Sequence, residues 1–535
     1  MITVAVSPAG SEMAQKLARI RPQGWIPDRI PDGTFWSENL RAADRDGYPT
    51  VAAKDATFNS NFSGVLEVPL FGVDVPGYGS IGSSHQIQHA LAGNDAGSVN
   101  PTLVVVRANA ASDITPTTWT VANRVGDITG GVLNGLPFFN NRVAPPVQWG
   151  LGWASPTGTA AASLTGWFGA TWRCGAIASF RDFLIVMDML NTSGTVRLEN
   201  EFRWSDRAVS GALPTVWTAS ATNEAGSAST GDSPGVILDG KQLGDIFLMY
   251  KPESCYRIEE IGLPQVMGKR RVLSTEGIMG RNCIQVINNV QLCVGNADIY
   301  QTDGRQAQSI VTDAIRRYFF DNLIESRRQE TYTVYNPELG EFWVCFPGSA
   351  SFDYCSEALV WNGSKWWHRE LGNTSVSTGD ASEGYPHMFV GQPEDLGVAD
   401  SWLRLYGTAP ANTGVANKLQ QVEFDTVGQS TQIEVTGIQL IPGQRAVIRR
   451  IFPITKNGTG STYVFRIGFS DSPDPNDMDW TDASTASFDP STDDQIGVLS
   501  KSARYVGIRT SMGGASTIGN QLVGFDIVFE PGGEL

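Results

Sequence analysis

This chain lacks a long apolar run. Nothing approaches 18 uninterrupted apolar residues, which excludes a membrane-spanning helix among its segments. Histidine is scarce, with only His85, His89, His368 and His387. The six cysteines are Cys174, Cys255, Cys283, Cys293, Cys345 and Cys355, and no two form a C-x-x-C pair, which removes the usual zinc spacing. Several sit inside strand-like apolar runs, so they read as buried free thiols of a chain made in a reducing compartment. Positive charge is also short. The 39 Lys and Arg against 55 Asp and Glu leave a net charge of −16. With no Lys/Arg-rich run, a phosphate-neutralising nucleic-acid face is not expected. The opening Met1-Ile2-Thr3-Val4-Ala5-Val6 is too short and too uncharged to act as a secretion leader.

Catalytic signatures are missing as well. No G-x-S-x-G elbow occurs, and the Gly-rich stretch Gly126–Gly135 is not followed by GK[ST], so neither a hydrolase elbow nor a P-loop is present. His85 and His89 are four apart, but no Glu lies between them and the flanking sequence is Gly-Ser-Ser. His368 follows Trp366-Trp367 and reads as a surface histidine. Asp471, Asp474, Asp477 and Asp479 lack the spacing and glycine of an EF-hand and read as a solvated turn. A glycosidase propeller needs two carboxylates in a central pocket, usually with cations for an acidic sugar. Carboxylates abound here, but no local pattern selects a pair. The repeated S-x-D-x-G-x-x-W motif of sialidases is absent. Ser205-Asp206 and Trp217 come nearest, at the wrong spacing. The expectation is therefore no catalytic centre, no metal, no cofactor and no enzyme activity.

What the chain does have is a repeating unit: a short apolar strand, a tight polar turn, then a second strand with an aromatic end. The first strands are Phe183-Leu184-Ile185-Val186, Ile246-Phe247-Leu248-Met249-Tyr250, Val290-Gln291-Leu292-Cys293-Val294, Phe342-Trp343-Val344-Cys345-Phe346 and Trp402-Leu403-Arg404-Leu405-Tyr406. They start 63, 44, 52 and 60 residues apart, which is the chain length that a small antiparallel sheet consumes. Such a unit cannot bury both faces alone and must stack on its neighbours. Radial stacking of this kind is a β-propeller.

The propeller is placed at 51–420, with loop insertions at 60–100 and 130–162. Phe247 and Trp361 are expected in its core. From 421 the alternation becomes cleaner, as in Tyr463-Val464-Phe465-Arg466-Ile467, and predicts a β-sandwich over 421–535. In 1–50, Met13, Leu17 and Ile20 allow one short helix. Pro22, Pro27, Pro31 and Pro49 with Trp25 and Trp36 then suggest an extended arm lying on another surface, or a plain lead-in to the first strand. One further helix is capped by Asp313 and buries Ile315, Phe319 and Leu323. Its Arg316 and Arg317, with Arg327 and Arg328, are either a solvated face or a contact for an acidic partner. Arg316, Arg317, Trp25 and Trp36 are the candidate partner contacts.

The order of several segments resembles the tail nozzle or tail hub (tubular tail) proteins of short-tailed bacteriophages. The resemblance is carried by Val132-Leu133-Asn134-Gly135-Leu136-Pro137, Phe180-Arg181-Asp182-Phe183, Phe202-Arg203-Trp204-Ser205-Asp206 and Leu243-Gly244-Asp245-Ile246 running on to Arg257. Asn296-Ala297-Asp298-Ile299-Tyr300, Glu341-Phe342-Trp343-Val344, Ala358-Leu359-Val360-Trp361-Asn362 and Gly524-Phe525-Asp526-Ile527 continue it. It implies a virion protein assembled in the host bacterial cytoplasm into a homo-oligomeric ring of six, below the portal and adaptor ring and beside fibre or spike proteins. Viral DNA would pass through its bore without being held, and an acidic bore would not retain a polyanion. The competing reading is a glycan-binding or glycan-cleaving propeller, a phage receptor binder or a sialidase-like enzyme, with Trp366-Trp367 as a stacking platform. The same two rings could instead pack between blades.

Overall fold

The computed structural model describes residues 3–6, 16–20, 34–38, 40–41, 50–51, 56–59, 66, 68–75, 88–95, 100–107, 110–149, 160–193, 196–371, 384–391, 404–409, 418–421, 431–456, 462–472, 477–480, 485–497, 502–512 and 521–532. Among them the chain is built almost wholly of antiparallel strands. Six separate four-stranded sheets, and the first four strands of a nine-stranded sheet, follow one another along the sequence. These are seven propeller blades. Blades 1 to 6 occupy 68–113, 129–163, 172–229, 239–273, 284–309 and 332–370. Blade 7 combines strands Met388–Gly391, Arg404–Ala409 and Lys418–Gln421 with Ala56–Asn59 from the far end of the chain.

The innermost strand of each blade packs on the innermost strand of the next, and Met388–Gly391 of blade 7 returns to Val68–Val75 of blade 1. The ring is thus closed. The five apolar strands that mark the sequence repeat are the second strands of blades 3 to 7. That position is covered on both faces, so the strand reads as an unbroken apolar run. Glu341–Phe346 is buried at every residue. Apolar clusters sit between successive blades, one joining blades 2 and 3, the next blades 3 and 4, and the largest blades 4 to 7. Each blade therefore depends on both neighbours. All six cysteines are free and buried in this packing.

Beyond the ring, strands from 431 onward belong to two sheets, and one buried cluster, including Val435, Ile451, Phe465, Ile508 and Ile527, draws on both. Within 1–50, the described strands pair inside the chain. Lys16–Ile20 pairs with Gln521–Gly532, and Thr34–Glu38 pairs with Thr431–Ile438 of the same chain. The expected helix around Leu17 is this strand. Backbone pairing with a distant strand overrides the weak helical spacing. Thr34–Glu38 also meets the outer strand of blade 6 through Glu38 and His368, so one sheet runs from the ring axis into the second unit.

Three further expectations need correction. Residues 60–100 and 130–162 are not mere loop insertions, because they hold strands Val68–Val75, Gln88–Asn94, Thr129–Leu133, Leu136–Asn140 and Val147–Gln148 of blades 1 and 2. Their glycines hid the strands. Gly130 and Gly131 stand where a Cβ would crowd Phe138 and Phe139, so the small residue is demanded by packing rather than by a turn. The helix Asp313–Asn322 is capped by Thr312, whose hydroxyl accepts from the Ile315 amide, and not by Asp313. Trp361 is only half-buried, stacked on Trp366, whereas Phe247 is fully buried.

The last difference sets an outcome. Phe247→Ala should cost roughly 3–5 kcal/mol of stability, and Trp361→Ala clearly less. Urea unfolding of the two variants measures both, and equal losses would contradict the placement of Phe247 between blades 3 and 4.

Candidate functional site

The loops leading into the inner strands of blades 2 and 6 meet over the ring axis. A Cβ built on Gly126, which has φ +74°, would collide with the Gln329 carbonyl oxygen. Only glycine permits that approach. Gln329 also touches the blade 5 entry at Gly280. Blades 2 and 6 are not neighbours, so this contact spans the axis and caps one end of the propeller. Beside it lies a cleft of about 540 Å³, within the size range of small-ligand sites. Asp127 and Glu330 line it, with Arg124, Arg142, Arg327 and Tyr354.

The two carboxylates are held by guanidinium groups. Arg142 Nη1 donates to Asp127 Oδ1 at 2.5 Å. Arg327 Nη2 donates to Glu330 Oε2 at 2.6 Å, while its Nη1 donates to the Phe352 carbonyl at 2.6 Å. Beneath the cleft, Arg281 is nearly fully buried, 3.8 Å from both Asp127 and Asp188, and its Nε donates to the Gly175 carbonyl at 2.8 Å. Burial pulls the Arg281 guanidinium down to about 10, which leaves it charged at neutral pH. Asp188 sits at a bulge in its strand with φ +53°, a strained conformation for a residue with a Cβ. Gly175 is there because a Cβ would run into the Asp188 carboxylate. Arg197 closes the group, donating to Asp188 at 3.0 Å.

Below this layer an axial chamber of about 240 Å³ is lined by the inner strands of blades 2 to 5, including Thr129, Ser179, Asp239 and Lys241. Burial raises the Asp239 carboxyl above its ordinary range, although the Asn282 and Gly240 amides donate to it at 3.0 and 2.8 Å. Toward blade 7 the axis is filled by His387. Its ring packs 4.5 Å from Phe71 and 5.3 Å from Tyr332, and Nδ1 accepts the Gly72 amide at 3.4 Å.

The residues singled out in the sequence mostly lie elsewhere. Arg316 is spent within the chain, donating to Asp298 at 3.1 Å and Asp313 at 2.5 Å. Arg317 is on the same helix. Trp25, His85 and Asp474 fall outside the described residues, and Trp36 lies in the strand Thr34–Glu38. His89 is buried against Asp74 and the rings of Phe389 and Tyr406. His368 is not a surface residue. It is buried, and its Nε2 lies 3.1 Å from the Glu357 carboxylate, because its strand is covered by Thr34–Glu38 rather than left as an edge. Trp366 and Trp367 are buried against Trp361 and Trp343, so they offer no open platform. Asp471 pairs with Arg445. Among the described residues no cluster of three or more His, Cys, Asp or Glu could hold a metal. The sequence reading missed Asp127 and Glu330. The one local signal near either is the glycine before Asp127, and glycine is everywhere in this chain.

No known protein family matches this chain, and no curated protein matches it. Solved structures do. Raptor from Chaetomium thermophilum is 10% identical with a TM-score of 0.39, over 70% of this chain and 30% of that one. The chain thus spans less than a third of that structure. An exo-β-1,3-galactanase from Phanerochaete chrysosporium is 8% identical with a TM-score of 0.25, over 89% of this chain and 100% of that one. A β-fructofuranosidase from Schwanniomyces occidentalis is 8% identical with a TM-score of 0.24, over 90% and 98%. Two of these three are glycan-cleaving enzymes, and that corrects the expectation of a chain without enzyme activity, which is withdrawn. Scores this low say nothing about which residues act.

His387 gives the axis a pH signature. Burial pushes its imidazole down to about 3, against about 6.5 in an unfolded chain. Between those values the unfolded state binds the proton and the fold does not, so stability falls as pH drops through that window. Thermal melts from pH 7 to pH 4 should show a steeper loss in the parent than in His387→Gln. Parallel curves would refute the assignment.

Proposed function

We propose that this chain engages a glycan at the axial mouth of its propeller, with Asp127 and Glu330 as the carboxylates available for acid–base work. The observation that carries this reading is their meeting in one cleft. They come from the entry loops of blades 2 and 6 and are brought together by the Gly126–Gln329 contact. Glycoside cleavage uses two carboxyl groups flanking the bond: one protonates the leaving oxygen, while the other activates water or attacks the sugar. Here one stands on each loop. Tyr354 lines the same cleft.

Asp127→Asn and Glu330→Gln, tested singly against an oligosaccharide panel, should lower hydrolysis by about 10²- to 10⁴-fold while calorimetric binding changes far less. Melting curves of each variant identify any loss that is merely structural, since Arg142 and Arg281 lose a partner in Asp127→Asn. A parent protein that neither binds nor cleaves any member of the panel rejects the reading.

A second reading has its own support in the architecture. The sheet that continues from blade 6 through Thr34–Glu38 into the second unit couples two bodies through backbone pairing, as a ring subunit under mechanical load would need. It fits the resemblance to short-tailed phage tail hubs: a homohexamer in the virion tail, beneath an adaptor ring and beside fibre proteins, passing DNA without binding it. In that arrangement the DNA path lies between subunits, because the propeller's own axis is capped at one end. Negative-stain microscopy of the purified chain separates the readings, six-fold rings with an open bore favouring this one and dispersed monomers counting against it.

A further inference from the structure

We infer that the saccharide taken at the mouth cleft is an anionic one, carrying carboxylates, and that Arg124 selects it. The inference rests on the glycan reading above and adds the substrate class. Charge balance at the cleft runs opposite to that of the chain. The molecule carries a net −16, yet the cleft sets three guanidinium groups, Arg124, Arg142 and Arg327, against two carboxylates, Asp127 and Glu330. A local excess of positive charge in a concave site on an acidic molecule concentrates anions there.

The three arginines differ in what they still have to offer. Arg142 is bound to Asp127, and Arg327 to Glu330 and to the Phe352 and Asp353 carbonyls. Arg124 is exposed at the rim and makes no side-chain hydrogen bond or ion pair among the described residues. Its backbone is nonetheless fixed, since its carbonyl accepts from the Asp127 amide at 3.2 Å, in the turn that carries the catalytic candidate. A guanidinium placed on a fixed turn, with its donors uncommitted, matches the fork geometry of a carboxylate. Bound there, the sugar carboxylate would place the ring in the cleft that Asp127 lines. A neutral sugar would leave Arg124 in water and gain nothing from it.

The test compares tetragalacturonate with neutral galactotetraose, and sialyllactose with lactose, by titration calorimetry at low and high salt. The parent should bind at least one acidic probe about tenfold or more tightly than its neutral counterpart, and salt should shrink the gap. Arg124→Gln should remove that preference and leave neutral binding unchanged, and Arg124→Lys should restore part of it. Arg305→Gln makes the same charge change on an exposed arginine in blade 5 and should have no effect. Equal binding of acidic and neutral probes, a preference that survives Arg124→Gln, or an equal loss in Arg305→Gln would each overturn the inference while leaving the glycan reading in place. If none of the four saccharides binds, the selection by Arg124 falls, and the oligosaccharide panel decides whether the glycan reading falls with it.

Discussion

Everything in this molecule depends on closing the ring. A propeller blade is apolar on both faces, so an open array would leave the first and last blades exposed. The chain closes it by pairing Ala56–Asn59, near the start, with Lys418–Gln421, more than three hundred residues later. That pairing makes blade 7 from both ends of the propeller and lets it press on blade 1, where Leu66, Leu91, Val104, Phe389 and Tyr406 form one buried cluster. The loop entropy of such a closure is spread over a logarithm of length, while the apolar area secured grows with every blade. Closure is therefore favourable despite the distance.

Closure also creates the site. Once seven inner strands face an axis, their entry loops converge, and groups that would be solvated elsewhere meet there. Arg281 is the consequence. A buried arginine loses several kcal/mol of hydration, and the surrounding carboxylates Asp127 and Asp188 offset it. The same cluster holds Asp188 in a strained conformation and requires glycine at 175. Strain and buried charge in one place are seldom kept by structure alone. Here they lie directly beneath the cleft that contains Asp127, and they hold that carboxylate at the cleft floor. The pressure on the axis also explains His387 and Asp239, both pushed toward their neutral forms by burial.

The second unit is joined to the ring by backbone pairing. Thr34–Glu38 touches blade 6 on one side and Thr431–Ile438 on the other. The chain thus crosses between units twice, once on the way into the propeller and once on the way out. His368 would be an ordinary exposed residue on an open edge, but it is buried because the edge is covered.

How much of this was legible in sequence followed from how local each signal is. Phe342-Trp343-Val344-Cys345-Phe346 announces a doubly covered strand in its own five residues, and five such runs were enough for a propeller. Burial of Cys293 and Cys345 followed from the same runs. Blades 1 and 2 were obscured because Gly130, Gly131 and Gly93 are small for the sake of neighbours on other strands, which no local pattern reports. The strand at Lys16–Ile20 resembled a helix because its pairing partner lies at the opposite terminus. Asp127 and Glu330 were two acids among 55, and only the meeting of two distant loops over the axis singles them out. Composition and period determined the class of fold. Blade number, closure, and the grouping of charges at the mouth were decided by the tertiary structure, because each depends on contacts between residues far apart in the chain.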